Sequence, residues 1–238
     1  MVKLKLTKMP SSVYGIYGPH KNIMASRMLY LHPDAAVSFM RDLYPHRFRV
    51  SDMFRSADSS LQARHQKKGV QKPSWSGHNY GFSIDADLDF QLPHMGMDKK
   101  QFDGWMNERG WYCHRKDHLI EREAWHYNYF GAESAKYLAA CAQWHSTAAG
   151  IEQKILDYYG SEFLLDPIGI QTELKTLKLY GGDIDGDIGP LSVRAIKVFQ
   201  TAWDLDVDGI AGRDTQRLLS FLGSTVDLVP LPPGLLAP

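Results

Sequence analysis

Residues Ser76–Asp85 read SGHNYGFSID. A histidine and an aspartate stand seven residues apart, with Gly81 between them and aromatic residues close by. In an unbroken strand, residues seven apart point to opposite faces. His78 and Asp85 therefore reach one point only if the chain turns between them, and Gly81 is where a turn costs least. From Gly81 to Phe90, apolar Phe82, Ile84, Ala86, Leu88 and Phe90 alternate with Ser83, Asp85, Asp87 and Asp89. That period predicts a half-buried strand with one polar face. The pair itself has two readings: two ligands of one metal ion, or a turn histidine and a solvated aspartate.

A second piece lies downstream in EREAWHY, Glu121–Tyr127, where Glu123 and His126 form an E-x-x-H unit beside Trp125 and Tyr127. A catalytic zinc needs three protein ligands and an open position. It also needs a carboxylate to take a proton from water. His78, Asp85 and His126 supply three ligands and Glu123 supplies the base. Read separately, Glu123 is equally a surface glutamate and His126 a core histidine. A third piece lies upstream in DMFRSADSSLQ, Asp52–Gln62. Arg55 ends a strand there, and its forked, permanently charged guanidinium suits a substrate carboxylate or carbonyl oxygen. The alternative is a surface salt bridge.

Together the three pieces are specific. Ser76-x-His78-x-x-Gly81-x-x-x-Asp85, followed by Glu123-x-Trp125-His126 and preceded by Phe54-Arg55-Ser56 with Gln62, resembles the zinc D-alanyl-D-alanine carboxypeptidase family. That family includes the L-alanyl-D-glutamate endopeptidases of phage and bacteria, and the resemblance covers roughly residues 25–140. It implies an α+β fold with a small antiparallel sheet carrying a Zn2+ site, and a peptidoglycan stem peptide as substrate. It implies His78, Asp85 and His126 as ligands, Glu123 as base, and Arg55 as oxyanion stabiliser or substrate anchor. Ser76 is expected at the substrate end, with Ser56, Gln62, Tyr80, Trp125 and Tyr127 also lining the substrate. Ala124 stands where the family often has proline and Phe54 where it often has tyrosine; neither change removes a catalytic group. The HNYG tetrapeptide is closer to the endopeptidase branch.

Around these motifs, DAAVSFMRDLY (Asp34–Tyr44) predicts a short amphipathic helix capped by Asp34. RFRVSDMF predicts a strand, SADSSLQARHQKKG a helix closed by Gly69, KKQFDGWMNERG a helix, LIEREAWHYNYF a second core strand and AESAKYLAACAQWHS a closing helix. His114 and His118 have helical ligand spacing, but the charged run CHRKDH reads as a solvated loop. Cys113 and Cys141 are expected as reduced thiols, although two cysteines could pair.

Beyond residue 164 the character changes. DGDIGPLS from Asp185 and DGIAGRDT from Asp208 repeat at an offset of 23, aligning Asp185 with Asp208, Gly186 with Gly209, Gly189 with Gly212 and Ser192 with Thr215. Each copy is a glycine turn ahead of a helical pattern, which predicts a small pseudo-symmetric helical module. Counted from Asp183 as a calcium loop, the sixth and twelfth positions hold Ile188 and Arg194, which excludes an EF-hand. DGDIGPLSVRAIKVFQ and DLDVDGIAGRDTQRLL resemble the three-helix peptidoglycan-binding domain of wall hydrolases, over about residues 168–222. The expected organisation is a zinc peptidase domain over 1–146, a linker with helical character over 147–167, the binding domain over 168–222 and a flexible tail over 223–238.

The 238 residues carry no net formal charge, with 44% hydrophobic and 23% charged residues, ordinary for a chain with a buried core. Residues 1–164 hold 21 Lys and Arg against 17 Asp and Glu, a mild excess that does not call for nucleic acid. The start MVKLKLTKMPSSVYG has no apolar run of signal-peptide length, and no membrane span is expected. A monomer is expected, made in a host cytoplasm and acting on the cell wall after release. The expected activity is that of a phage endolysin cutting stem peptides, with L-alanyl-D-glutamate endopeptidase favoured. A D-alanyl-D-alanine carboxypeptidase and a non-catalytic zinc protein of the wall are the alternatives.

Overall fold

The structure is a computed structural model, and it describes residues 3–13, 29–57, 60–61, 76–113, 124–131 and 164–235. Contacts divide the chain into two units. One holds Lys5–Arg55, Gly77–Lys154 and Leu228–Pro238; the other holds Met1–Leu4, Ser56–Ser76 and Ile155–Asp227.

The first unit starts within strand β1 (Lys3–Lys8), at Lys5; the strand's alternating Lys and Leu side chains bury Leu4 and Leu6. Thr7 and Lys8 pair antiparallel with β2 (Tyr30–Leu31). Helix α1 (Pro33–Ser38) follows. His32, not Asp34, caps it: the ring Nδ1 accepts from Asp34 N at 3.3 Å, and Pro33 occupies the first turn, where no amide is needed. The helix widens into a π-turn over Phe39–Leu43 and tightens into a 3-10 turn over Tyr44–His46. Ala35, Ala36, Phe39, Met40 and Leu43 face the core throughout.

The main sheet contains β3 (Val50–Asp52), β4 (Ser83–Ala86), β5 (Trp111–Tyr112) and β6 (His126–Tyr129), in the spatial order β3-β4-β6-β5 with every pair antiparallel. A one-turn helix, α2 (Gly77–Tyr80), leads into β4. The strand expected as far as Phe90 ends at Ala86. Asp87 then caps α3 (Leu88–Met95), its carboxylate accepting from Phe90 N at 3.3 Å. Aspartate at that position offers the backbone a helix start in place of another ladder bond. Helix α4 (Lys99–Asn107) has a capping box between Asp98 and Gln101.

The apolar face of the sheet, with Ile84 and Tyr127, packs on Phe39, Phe48, Phe102 and Trp111, all almost fully buried. Phe102 meets Tyr127 edge to face with centroids 5.8 Å apart, and Phe39 meets Trp111 likewise at 6.3 Å. Inside this core the Lys99 ammonium is paired with Asp103, and Tyr127 OH donates to the same carboxylate at 2.6 Å.

The second unit contains α5 (Pro167–Thr176), α6 (Pro190–Ala202) and α7 (Arg213–Gly223) around Ile170, Leu174, Ala195, Ile196, Phe199, Leu218 and Leu219. Asp166 caps α5 through Gly169 N at 2.7 Å. The tail expected to be loose forms a strand, β7 (Thr225–Leu228). Beyond it, Leu231 and Leu235 pack against the first unit's core. Ala57, Ser60 and Leu61 are helical, as expected for the SADSSLQARHQKKG stretch, whose remainder lies outside the described residues. So do the LIERE part of the second core strand, the AESAKYLAACAQWHS helix, His114, His118, Cys141 and the linker before Leu164. Among the described residues no helix is long and apolar enough to cross a membrane.

Candidate metal centre

Antiparallel register does most of the assembly. Asp52 of β3 lies opposite Asp85 of β4, and Asp85 lies opposite His126 of β6. Three polar residues thus form a row across one sheet face, while Ile84 and Tyr127 point into the core on the other. His78 joins the row from α2. The chain reverses at Gly81, whose φ of +76° is left-handed, and a Cβ there would lie 2.6 Å from His32 N. Gly77 is equally constrained, since a Cβ would lie 2.1 Å from Ser83 Oγ and 2.5 Å from Asn128 Oδ1. The turn expected between His78 and Asp85 is therefore present, and it brings both side chains to the same place.

His78 Nε2 lies 3.1 Å from Asp85 Oδ1 and 3.0 Å from His126 Nδ1, and His126 Nδ1 lies 3.0 Å from Asp85 Oδ1. The other ring nitrogens have partners of their own. His78 Nδ1 donates to Met53 O at 2.5 Å and His126 Nε2 donates to Asn128 Oδ1 at 3.3 Å. A carbonyl oxygen only accepts, so each bond places the proton on that outer nitrogen. In the neutral rings the two inward nitrogens then carry lone pairs, and Asp85 adds a third acceptor. Three acceptors at about hydrogen-bond distance repel one another unless a cation sits among them. Zinc bonded at about 2.0–2.1 Å in a tetrahedron holds its ligand atoms about 3.3 Å apart, close to the spacing here. The donor set of two imidazoles and a carboxylate, with ring orientation held by outer partners, could hold a metal ion.

Burial opposes the Asp85 charge; when both rings are protonated rather than metal-bound, the His78 and His126 charges and their hydrogen bonds hold its carboxyl well below the usual carboxylate range. Arg55 sits on the same side. Its Nη2 lies 2.5 Å from Asp52 Oδ2 and 3.9 Å from Asp85 Oδ2, and its side chain keeps 24% exposure. Backbone bonds fix its position: Arg55 N donates to His78 O at 3.1 Å and Asn79 Nδ2 donates to Arg55 O at 2.7 Å.

Of the expected substrate contacts, Tyr127 and Tyr80 are both buried. Tyr127 alternates away from His126 and spends its hydroxyl on Asp103; Tyr80 is 1% exposed. Trp125 is half-buried beside the core, its carbonyl accepting from Ala86 N at 2.8 Å. Ser56 and Ser76 belong to the other unit. Gln62 and Glu123 lie outside the described residues. The Cys113 thiol donates to Ala124 O at 3.7 Å. Asn128 follows His126 at period-two spacing, whereas Asp52 reaches the row through cross-strand pairing with Asp85, which no sequence spacing marks.

In the second unit two buried glutamines organise the repeated turns. Gln171 Nε2 donates to Asp185 Oδ1 at 2.8 Å and Asp187 O at 2.9 Å, and its Oε1 accepts from Gly186 N at 2.7 Å. Gln200 Nε2 donates to Asp208 Oδ1 at 2.8 Å and Ile210 O at 3.0 Å, and its Oε1 accepts from Gly209 N at 2.9 Å. Gly186 and Gly209 sit at φ +80° and +81°, where only glycine is unstrained. These hydrogen bonds lower the exposed carboxyls: chiefly that from Gln171 for Asp185, and those from Ile210 N and Gln200 for Asp208.

No curated protein and no solved structure matches the chain. One family model does match, described as "Putative peptidoglycan binding domain", over residues 166–219. The three helices and their glutamine-clamped turns are thus a peptidoglycan-binding domain, which associates the chain with the bacterial cell wall.

Proposed function

We propose that the chain is a zinc-dependent peptidoglycan peptidase of the endolysin type, which hydrolyses stem-peptide bonds and favours the L-alanyl-D-glutamate linkage. The observation that carries this reading is the convergence of His78 Nε2, Asp85 Oδ1 and His126 Nδ1 beside the Arg55 guanidinium. It stands in a chain that also holds a peptidoglycan-binding domain. When bound, zinc supplies Lewis acidity toward water and the scissile carbonyl. His78 and His126 present neutral nitrogens because Met53 O and Asn128 Oδ1 hold the protons on the outer side. Arg55 offers fixed positive charge to the oxyanion that develops on the carbonyl. Glu123, three residues before His126, is the base that takes the proton of water and returns it to the leaving amine. The domain over 166–219 keeps the enzyme on its insoluble substrate. The enzyme is made in a host cytoplasm and reaches the wall after release.

The test is digestion of purified muropeptides with and without a chelator, followed by mass spectrometry. Release of L-alanine-terminated glycan and a D-glutamate-terminated peptide, abolished by chelation and restored by zinc, is the expected result. Release of terminal D-alanine alone would identify a carboxypeptidase. No product from any muropeptide, with one zinc bound per chain, would leave a non-catalytic wall protein.

A further inference from the structure

The repeat compares two versions of one helix face. At the offset of 23, Arg194, Lys197 and Val198 of α6 align with Arg217, Ser220 and Phe221 of α7. On α7 that face is covered: Arg217 and Ser220 are each 1% exposed and Phe221 is 7% exposed. Helix α5 packs against α7, and a Cβ on Gly223 would overlap the Glu173 carboxylate. On α6 the same face is open. Arg194 and Lys197 are exposed and Val198 is 48% exposed. They line a groove of about 680 Å³ with Pro190, Val193 and Thr201. No ion pair of Arg194 or Lys197 occurs among the described residues. Asp208 feels the Lys197 charge, but its Oδ1 is occupied by Gln200 Nε2 and Ile210 N. Two cations one turn apart, beside exposed Val198 and half-buried Val193, are complementary to a peptide with both carboxylates and small apolar side chains.

We infer that this α6 groove is the seat of the stem peptide in the peptidoglycan-binding domain: Arg194 and Lys197 take stem carboxylates, and Val193 and Val198 take alanine methyl groups. The assignment rests on the peptidoglycan reading of the domain and adds where, and through which part of the polymer, it binds. Guanidinium and ammonium groups at the rim of an apolar strip act through charge complementarity, so reversing them turns attraction into repulsion.

The experiment uses the full-length chain with chelator present, so that nothing is cut, and measures cosedimentation with purified sacculi. The variants are R194E/K197E and, as an equal charge change elsewhere, K100E/K178E. Expected is a loss of about tenfold in affinity for R194E/K197E and a change within about twofold for K100E/K178E. Sacculi with amidated stem carboxylates should bind the wild type as weakly as native sacculi bind R194E/K197E. Thermal denaturation of each variant separates lost binding from lost folding. If the wild type binds native sacculi but R194E/K197E, folded, binds equally well, the groove assignment is overturned. Equal losses in both variants, or no effect of amidation, overturn it too. A wild type that binds no sacculi removes the peptidoglycan reading itself.

Discussion

At the residue scale the cluster of His78, Asp85 and His126 depends on two glycines as much as on its own side chains. A Cβ on Gly77 would enter the space of Ser83 Oγ and Asn128 Oδ1, the group that orients His126. Gly77→Ala should therefore loosen His126 and cut zinc affinity by about 10–100-fold, the usual effect of losing an outer partner of a ligand. Competition with a zinc-binding dye measures it, and unchanged affinity would show that Asn128 does not orient the ring. Asp85→Asn removes a ligand charge rather than an orienting contact, so its loss should exceed that range. His78, Asp85 and Gly81 are legible in the sequence because two donor types with a turn residue between them leave few foldings that use all three. Asn128 is not legible, because an asparagine in HYNY has the same sequence signature whether it is solvated or holds a histidine.

At the element scale, residues that can satisfy backbone groups locally decide where elements end. The alternation through Leu88 and Phe90 is compatible with a strand, and the period alone cannot reveal that Asp87 spends its carboxylate on Phe90 N to start α3. The same competition hides the role of Gln171 and Gln200, since nothing in IGIQ or VFQ marks a buried amide that clamps a turn. Each glutamine is almost fully buried and holds several loop groups, so Gln200→Ala should cost the domain about 2–4 kcal/mol as those groups lose partners. Urea denaturation of the variant would read this directly. In the other unit, Asp103→Ala strands the Lys99 charge and the Tyr127 hydroxyl inside the core. Breaking a buried pair in this way costs about 3–5 kcal/mol. Tyr127 also links the core to pH. Burial first, then the Asp103 charge, pushes its hydroxyl well above the usual tyrosine value. A phenol with a raised folded pKa keeps its proton in the native state while the unfolded chain loses its own from about pH 10. Stability should therefore fall as pH rises past about 10, and Tyr127→Phe should flatten that alkaline slope in thermal denaturation series.

At the scale of the whole molecule, the proposed function has two kinds of site serving one insoluble substrate, and they should fail independently. His126→Ala removes one of three converging atoms of the cluster and leaves the sequence of residues 166–219 unchanged. This variant should lose zinc and all cleavage while cosedimenting with sacculi as the wild type does. Gln171→Ala with Gln200→Ala releases both turns of the binding domain and leaves the cluster of His78, Asp85 and His126 unaltered. That double variant should cut soluble muropeptides at the wild-type rate. On whole sacculi it should slow by at least about 10²-fold, because tethering raises effective concentration only where the substrate is a polymer. The paired assay, each variant on soluble and on polymeric substrate, has one decisive cell. If the double glutamine variant, folded in its catalytic unit by zinc stoichiometry, fails on soluble muropeptides, the binding domain contributes to catalysis itself. Equal rates of variant and wild type on sacculi would instead deny the domain any targeting role.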